Sequence, residues 1–299
     1  MRVSYAEGYV VPLPERHPFP MTKFALLHDL LLREGLIQPS EVVPPRQADW
    51  SDLLYVHTPD YLSRLAEGKL DRQEVRKMGF PWSKKLVVRS RLAVQGTINA
   101  ALMALEDGVA GNLAGGTHHA FPGHGEGFCV LNDVAVAIRV LERARWIRRA
   151  LVIDLDVHQG NGTAAIFNGD DVAYTLSIHG AKNYPYRKPP STIDIGLPDA
   201  TTDSAYLATL TERLPGIIAD AMPDIVFYLA GIDVVNGDRF GRLALSEEGL
   251  YARDRCVVQA VRDAHLPLTM LLSGGYAHSP AETARLHAMS HRAVAEVYG

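Results

Sequence analysis

Residues 151–162 read LVIDLDVHQGNG, an apolar run that passes straight into Asp154, Asp156 and His158 and then into a glycine-punctuated turn. A continuous apolar stretch of this length, bounded by turn residues, reads as a strand buried on both faces. Comparable runs recur: NLAG (112–115), ALVIDLD (150–156), DVAYTLSI (171–178), DIVFYLAGID (224–233) and PLTMLLSGG (267–275). Helical periodicity is clearest in TKFALLHDLLLREGL (22–36), VRSRLAVQGTINAALMALEDG (88–108) and FCVLNDVAVAIRVLERARW (128–146), each closed by glycine or basic residues. Strands alternating with helices predict one α/β domain over residues 1–299, an open parallel sheet with helices on both faces. Its ligands are expected outside the carboxyl ends of the strands.

Composition narrows the function classes. With 299 residues, 47% of them hydrophobic, the chain can bury a large core. A formal net charge of −4 gives no electrostatic footprint for nucleic acid, and Arg143, Arg145, Arg148 and Arg149 read as a solvated helix end. Cys129 and Cys256 make no disulfide framework and fit a reducing compartment. No apolar run approaches the roughly 20 residues of a membrane span, and the first nineteen residues lack a signal peptide's apolar core. A soluble, cytoplasmic protein is expected.

The polar residues cluster where strands end. Side chains two apart on a strand share a face, so Asp154, Asp156 and His158 are aimed at one crevice, and the run ending in Ile232 adds Asp233. Like charges gathered there repel, and burying even one unpaired costs several kcal/mol, so a cation is the economical solution. Aspartate oxygens with one imidazole suit a borderline divalent ion with an open coordination position. The competing reading is that Asp156 and His158 merely cap the following turn. Two further strand ends weigh against it: the tandem His118-His119 after a Gly-Gly turn, and Tyr276 after another, with Ser279, Pro280 and Glu282 marking a helix start and capping box.

The segments AGGTHHAFPGHGEGFCVLNDVAVAI (114–138), VIDLDVHQGNGT (152–163), YLAGIDVVNGDRFG (228–241) and LLSGGYA (271–277), in this order, resemble the histone deacetylase family, which also holds bacterial acetoin-utilisation proteins and acetylpolyamine amidohydrolases. ERHPF (15–19) and YVHTPDYLSRL (55–65) resemble that family's opening segments, and the QGNG after His158 with VQGTINAA (94–101) is most similar to its small class IV branch. The resemblance implies the arginase/deacetylase fold, a parallel sheet of about eight strands. It implies one zinc ion held by Asp156, His158 and Asp233, with His118 and His119 beside it, Asp154 and Asn161 behind those histidines, and Tyr276 facing the substrate. It also implies a monovalent-cation site, usually for potassium, at Asp154, Asp156, His158 and Ser177, and a substrate tunnel walled by Gly127, Phe128, Tyr184 and Gly275. Asn161 stands where the best-known branch has a second aspartate. His124 and His179 read as loop or supporting residues.

Three functions fit these residues. One is zinc-dependent removal of acetyl or longer acyl groups from lysine side chains of proteins. Another is hydrolysis of small acylated amines such as acetylpolyamines by the same constellation. The third, a non-catalytic acyl-lysine binding module, predicts the loss of a ligand, of His119 or of Tyr276, and none is lost. An arginase-like di-metal enzyme would need an Asp-rich motif that is missing.

Overall fold

In the computed structural model, which describes residues 1–299, eight strands form one sheet: β1 (Val3–Ser4), β2 (Val42–Val43), β3 (Val109–Asn112), β4 (Ala150–Asp154), β5 (Ala173–Gly180), β6 (Ile193–Leu197), β7 (Ile225–Leu229) and β8 (Leu268–Leu271). Their order is β2-β1-β3-β8-β7-β4-β5-β6, and every adjacent pair is parallel. Both faces are covered, as the unbroken apolar runs require. Ala150 and Val152 of β4, with Ile225 and Phe227 of β7, enter one core. Leu151, Ile153, Val226 and Tyr228 enter the other. Helices Lys23–Arg33, Lys84–Asp107 and Asp133–Arg143 close the first face, and Asp203–Ala221 and Glu247–Asp263 close the second.

Boundaries differ from the expected ones for local reasons. The run at 112–115 was expected as a strand, yet β3 ends at Asn112, because Gly115 and Gly116 take left-handed φ values of 80° and 76° and turn the chain away. A side chain at Gly116 would also meet the backbone of Ser273. The helix expected from Phe128 starts only at Asp133: Phe128 itself has φ 65°, and the Asn132 side chain caps the helix by accepting from Ala135 N–H. Cys129 and Cys256 are both free thiols.

Phe227 is fully buried in β7, at the middle of the sheet. Phe227→Ala should therefore lower the unfolding free energy by about 3–5 kcal/mol, read as a lower urea midpoint. An unchanged midpoint would contradict this packing.

Candidate active site

The four central strands β3, β8, β7 and β4 are neighbours, and the order of the sheet breaks among them, since β3 and β4 are separated by β8 and β7. Such a switch point opens a crevice at the carboxyl ends. Each of these strands delivers one segment to it: 115–119, 273–276, 231–233 and 155–158 respectively.

Asp156, His158 and Asp233 are all buried and bring one potential ligand atom each to within 4.8 Å of the others. His158 Nδ1 lies 3.0 Å from Asp156 Oδ1 and 3.3 Å from Asp233 Oδ2. Backbone donors fix the carboxylates: Val157 N–H donates to Asp233 Oδ1 (2.9 Å), His158 N–H to Asp156 Oδ1 (2.9 Å), and Gly274 N–H to Asp156 Oδ2 (2.7 Å). Gly274 has to be glycine, because a Cβ there would strike both carboxylates. Asp233 Oδ2 is buried without a hydrogen-bond partner. Burial and the neighbouring Asp156 push the Asp233 carboxyl up to about 7. At His158 burial opposes the charge, but Asp156 and Asp233 overcome it and raise the imidazole to about 10. An unused carboxylate oxygen, a second carboxylate and an imidazole nitrogen facing one point fit a divalent cation of zinc's character.

The tandem histidines hang from a clamped turn. Asp133, in the first turn of its helix, accepts from Gly116 N–H (3.1 Å) and Thr117 N–H (2.7 Å), which sets the exit from β3. His118 Nδ1 is 2.6 Å from Asp154 Oδ2; burial works against its charge, yet Asp154 and Asp156 outweigh this and raise it to about 9. His119 Nδ1 is 2.6 Å from Asn161 Oδ1. That oxygen only accepts, so Nδ1 carries the hydrogen and Nε2 keeps a lone pair. Burial, with His118 and His158 close by, holds His119 well below the ordinary histidine range.

Glu126, which the sequence analysis does not single out, holds this arrangement from behind. Its Oε1 accepts from Asn161 Nδ2 (3.0 Å) and from the Tyr184 hydroxyl, while Lys77 Nζ (2.7 Å) and His124 Nε2 (3.1 Å) face Oε2. Because a carboxylate can only accept here, it also dictates which way the Asn161 amide points. Burial alone would raise the Glu126 carboxyl, but His124, Lys77 and Tyr184 outweigh that and hold it below the usual carboxylate range. The only advance signal was its place in PGHGEGF, beside His124.

Above these groups an outer cavity of about 400 Å³ narrows to an inner one of about 40 Å³. Gly127 and Phe128 line both, and Tyr184 lines the outer one, its ring edge-on to His119 at 5.0 Å. Tyr276 lines both, with its ring against Phe240 (4.8 Å), Phe128 (5.9 Å) and Phe19 (6.1 Å) and its N–H donating to Asp238 Oδ2 (2.7 Å). Burial, then Asp233 and Asp156, hold its phenol far above the normal range, so it remains a donor. Gly274 lines the inner cavity, and a Cβ added to the neighbouring Gly275 would meet Ile232 and His287. Ser177 lies across the ladder from Asp154 and pairs with His179 Nδ1 (2.9 Å). Ser279 caps the helix Pro280–Tyr298 by accepting from Glu282 N–H, which is the forward half of the expected capping box.

A sequence model of the histone deacetylase domain matches residues 17–292. An uncharacterized protein of Picosynechococcus sp. is 46% identical over 296 residues, covering 99% of both chains. Histone deacetylase 2 of Arabidopsis thaliana is 33% identical over 291 residues, covering 93% of this chain and 75% of its own. Acetoin utilization protein AcuC of Staphylococcus xylosus is 28% identical, covering 87% and 73%. The crystal structure of the HDA15 HD domain superposes with a TM-score of 0.80 at 22% identity, over 99% of this chain and 90% of that one, a likeness of fold.

Folding lowers the Glu126 pKa from an unfolded value near about 4.3, so its ionisation favours the folded state at neutral pH and that contribution fades as pH drops below about 4. Wild type should melt above Glu126→Gln at pH 7, with the gap closing toward pH 3. A gap that stayed constant or widened in acid would contradict the assignment.

Proposed function

The chain belongs to the histone deacetylase family, and from that premise we propose that it is a zinc-dependent amidohydrolase that removes acetyl or longer acyl groups from lysine side chains. The observation that carries the reading is a cluster of three ligand atoms, two of whose residues, Asp156 and His158, line one inner cavity together with His119, whose Nε2 is free, and Tyr276. Asp156, His158 and Asp233 would hold the ion. When bound, it acts as a Lewis acid toward the amide carbonyl and makes water a stronger nucleophile.

The remaining chemistry falls to this chain's side chains. His119 Nε2 accepts the proton of the attacking water, and Asn161 keeps that nitrogen free by holding the hydrogen at Nδ1. The same nitrogen then returns the proton to the leaving amine. His118 is held by its hydrogen bond to Asp154, which fixes the ring beside the reacting carbonyl. The Tyr276 hydroxyl donates to that oxyanion, and Phe128 and Tyr184 flank the aliphatic stem and keep water out. A potassium ion beside Asp154, Asp156, His158 and Ser177, one catalytic domain spanning residues 1–299, and a cytoplasmic location complete the proposal. No helix is long and apolar enough to cross a membrane.

Acetyl-lysine peptide hydrolysis by the zinc-loaded protein tests the proposal: a chelator should abolish turnover and added zinc restore it, whereas full activity in metal-free protein would overturn it. His119→Ala should slow turnover more than His118→Ala, since only His119 carries protons in both steps. Equal losses would overturn that division. Removing only the phenol hydroxyl, in Tyr276→Phe, should lower kcat on the order of 100-fold with little change in KM. Normal turnover with weaker binding would make Tyr276 a wall residue.

A further inference from the structure

The outer cavity is lined by Lys182 and Arg242 and by no carboxylate. Both cations are largely exposed, with side chains 74% and 56% accessible, and both lean on the single carboxylate of Asp199, at 3.7 and 3.3 Å. One anion between two cations leaves a surplus of positive charge at the entrance, and the neighbouring carboxylates do not supply the difference. Glu126 faces Lys77 and His124, and the half-buried Asp238 does not line the cavity: its oxygens already accept from the N–H groups of Phe240 (2.8 Å), Gly241 (3.0 Å) and Tyr276 (2.7 Å). The loop 182–188, which brings Tyr184 to the cavity, carries Lys182, Arg187 and Lys188 and no acidic residue. A cationic mouth in a chain of net charge −4 runs against the average surface.

Resting on the amidohydrolase reading, we infer that this mouth selects acylated amines bearing a carboxylate close to the amide-carrying stem, such as acyl-lysine flanked by acidic residues, and rejects polycations. Arg242 uses Nη1 on Asp199, so its guanidinium retains donors for a substrate carboxylate. An acylated polyamine would bring one or more ammonium groups past Lys182 and Arg242 with no carboxylate to receive them. Of the aromatic rings that line the cavity, Phe240 already has Arg239 5.5 Å from its centroid. Charges this exposed act over about 8 Å at physiological ionic strength, so the preference is short-ranged and weakens with salt.

The test uses zinc-loaded protein and labelled acetyl-lysine peptides of equal length with acidic, neutral or basic flanks, together with monoacetylated spermidine. The acidic peptide should exceed the basic one in kcat/KM by roughly five- to tenfold at low salt, narrowing at high salt. The polyamine should be the poorest substrate. In Lys182→Gln/Arg242→Gln the acidic-to-basic ratio should fall toward one, with the neutral peptide's kcat retained. Equal use of both flanks, a ratio unchanged in the double variant, or preferred hydrolysis of the polyamine would overturn the inference. Anisotropy binding of the same peptides separates the two claims: if none is hydrolysed, the amidohydrolase reading falls. Tighter binding of the acidic peptide would then still support the mouth's selectivity, and equal binding would overturn it.

Discussion

Two carboxylates and an imidazole are sealed from water with ligand atoms within 4.8 Å of one another, and a fold does not arrive at that arrangement for its own stability. Burying such groups without a compensating charge costs several kcal/mol. Asp233 illustrates the tension: one oxygen is fixed by a backbone N–H, while the other is buried with no donor and the carboxyl is displaced to about 7. A bound cation would remove the strain at a stroke, which makes the electrostatics of this corner an argument about function.

The surrounding structure is arranged to keep that corner from relaxing. Arg253, fully buried, donates from Nη1 to the carbonyls of Leu155 (3.1 Å) and Gly231 (2.7 Å), the backbone just ahead of Asp156 and Asp233, and pairs with Asp254. Ser273 Oγ and Gly274 N–H hold Asp156 from the β8 side. Asp133 clamps the turn before the histidines, and Glu126 holds Asn161 behind His119. The site is thus made of loops, each tied to a rigid strand end. The parallel sheet supplies the common direction and the hydrogen bonds supply the aim.

How much of this could be read in advance follows from what leaves a pattern. Strands β4 and β7 are buried on both faces and therefore spell continuous apolar runs, so their ends, and the Asp and His residues there, were legible. The two-residue strands β1 and β2 are too short to show any period, and β6 alternates half-buried and exposed residues over four positions before the buried Leu197. Neither kind announces itself. Residues 112–115 stay apolar beyond the end of β3 at Asn112, and apolar character alone does not mark the left-handed turn at Gly115 and Gly116 that follows. Which of the adjacent Gly274 and Gly275 passes beside the carboxylates was likewise not legible, since two glycines in a row look alike until the chain is folded. Glu126 and the cationic mouth lie in loops, where the partners of a charge are set by tertiary folding and no spacing rule foretells them.

Calorimetric titration of metal-stripped protein with zinc tests the central claim most directly. One ion should bind per chain with a rise in thermal stability, and both effects should vanish when Asp156, His158 and Asp233 are replaced by alanine. Absence of saturable binding, or binding that survives the triple replacement, would contradict the account.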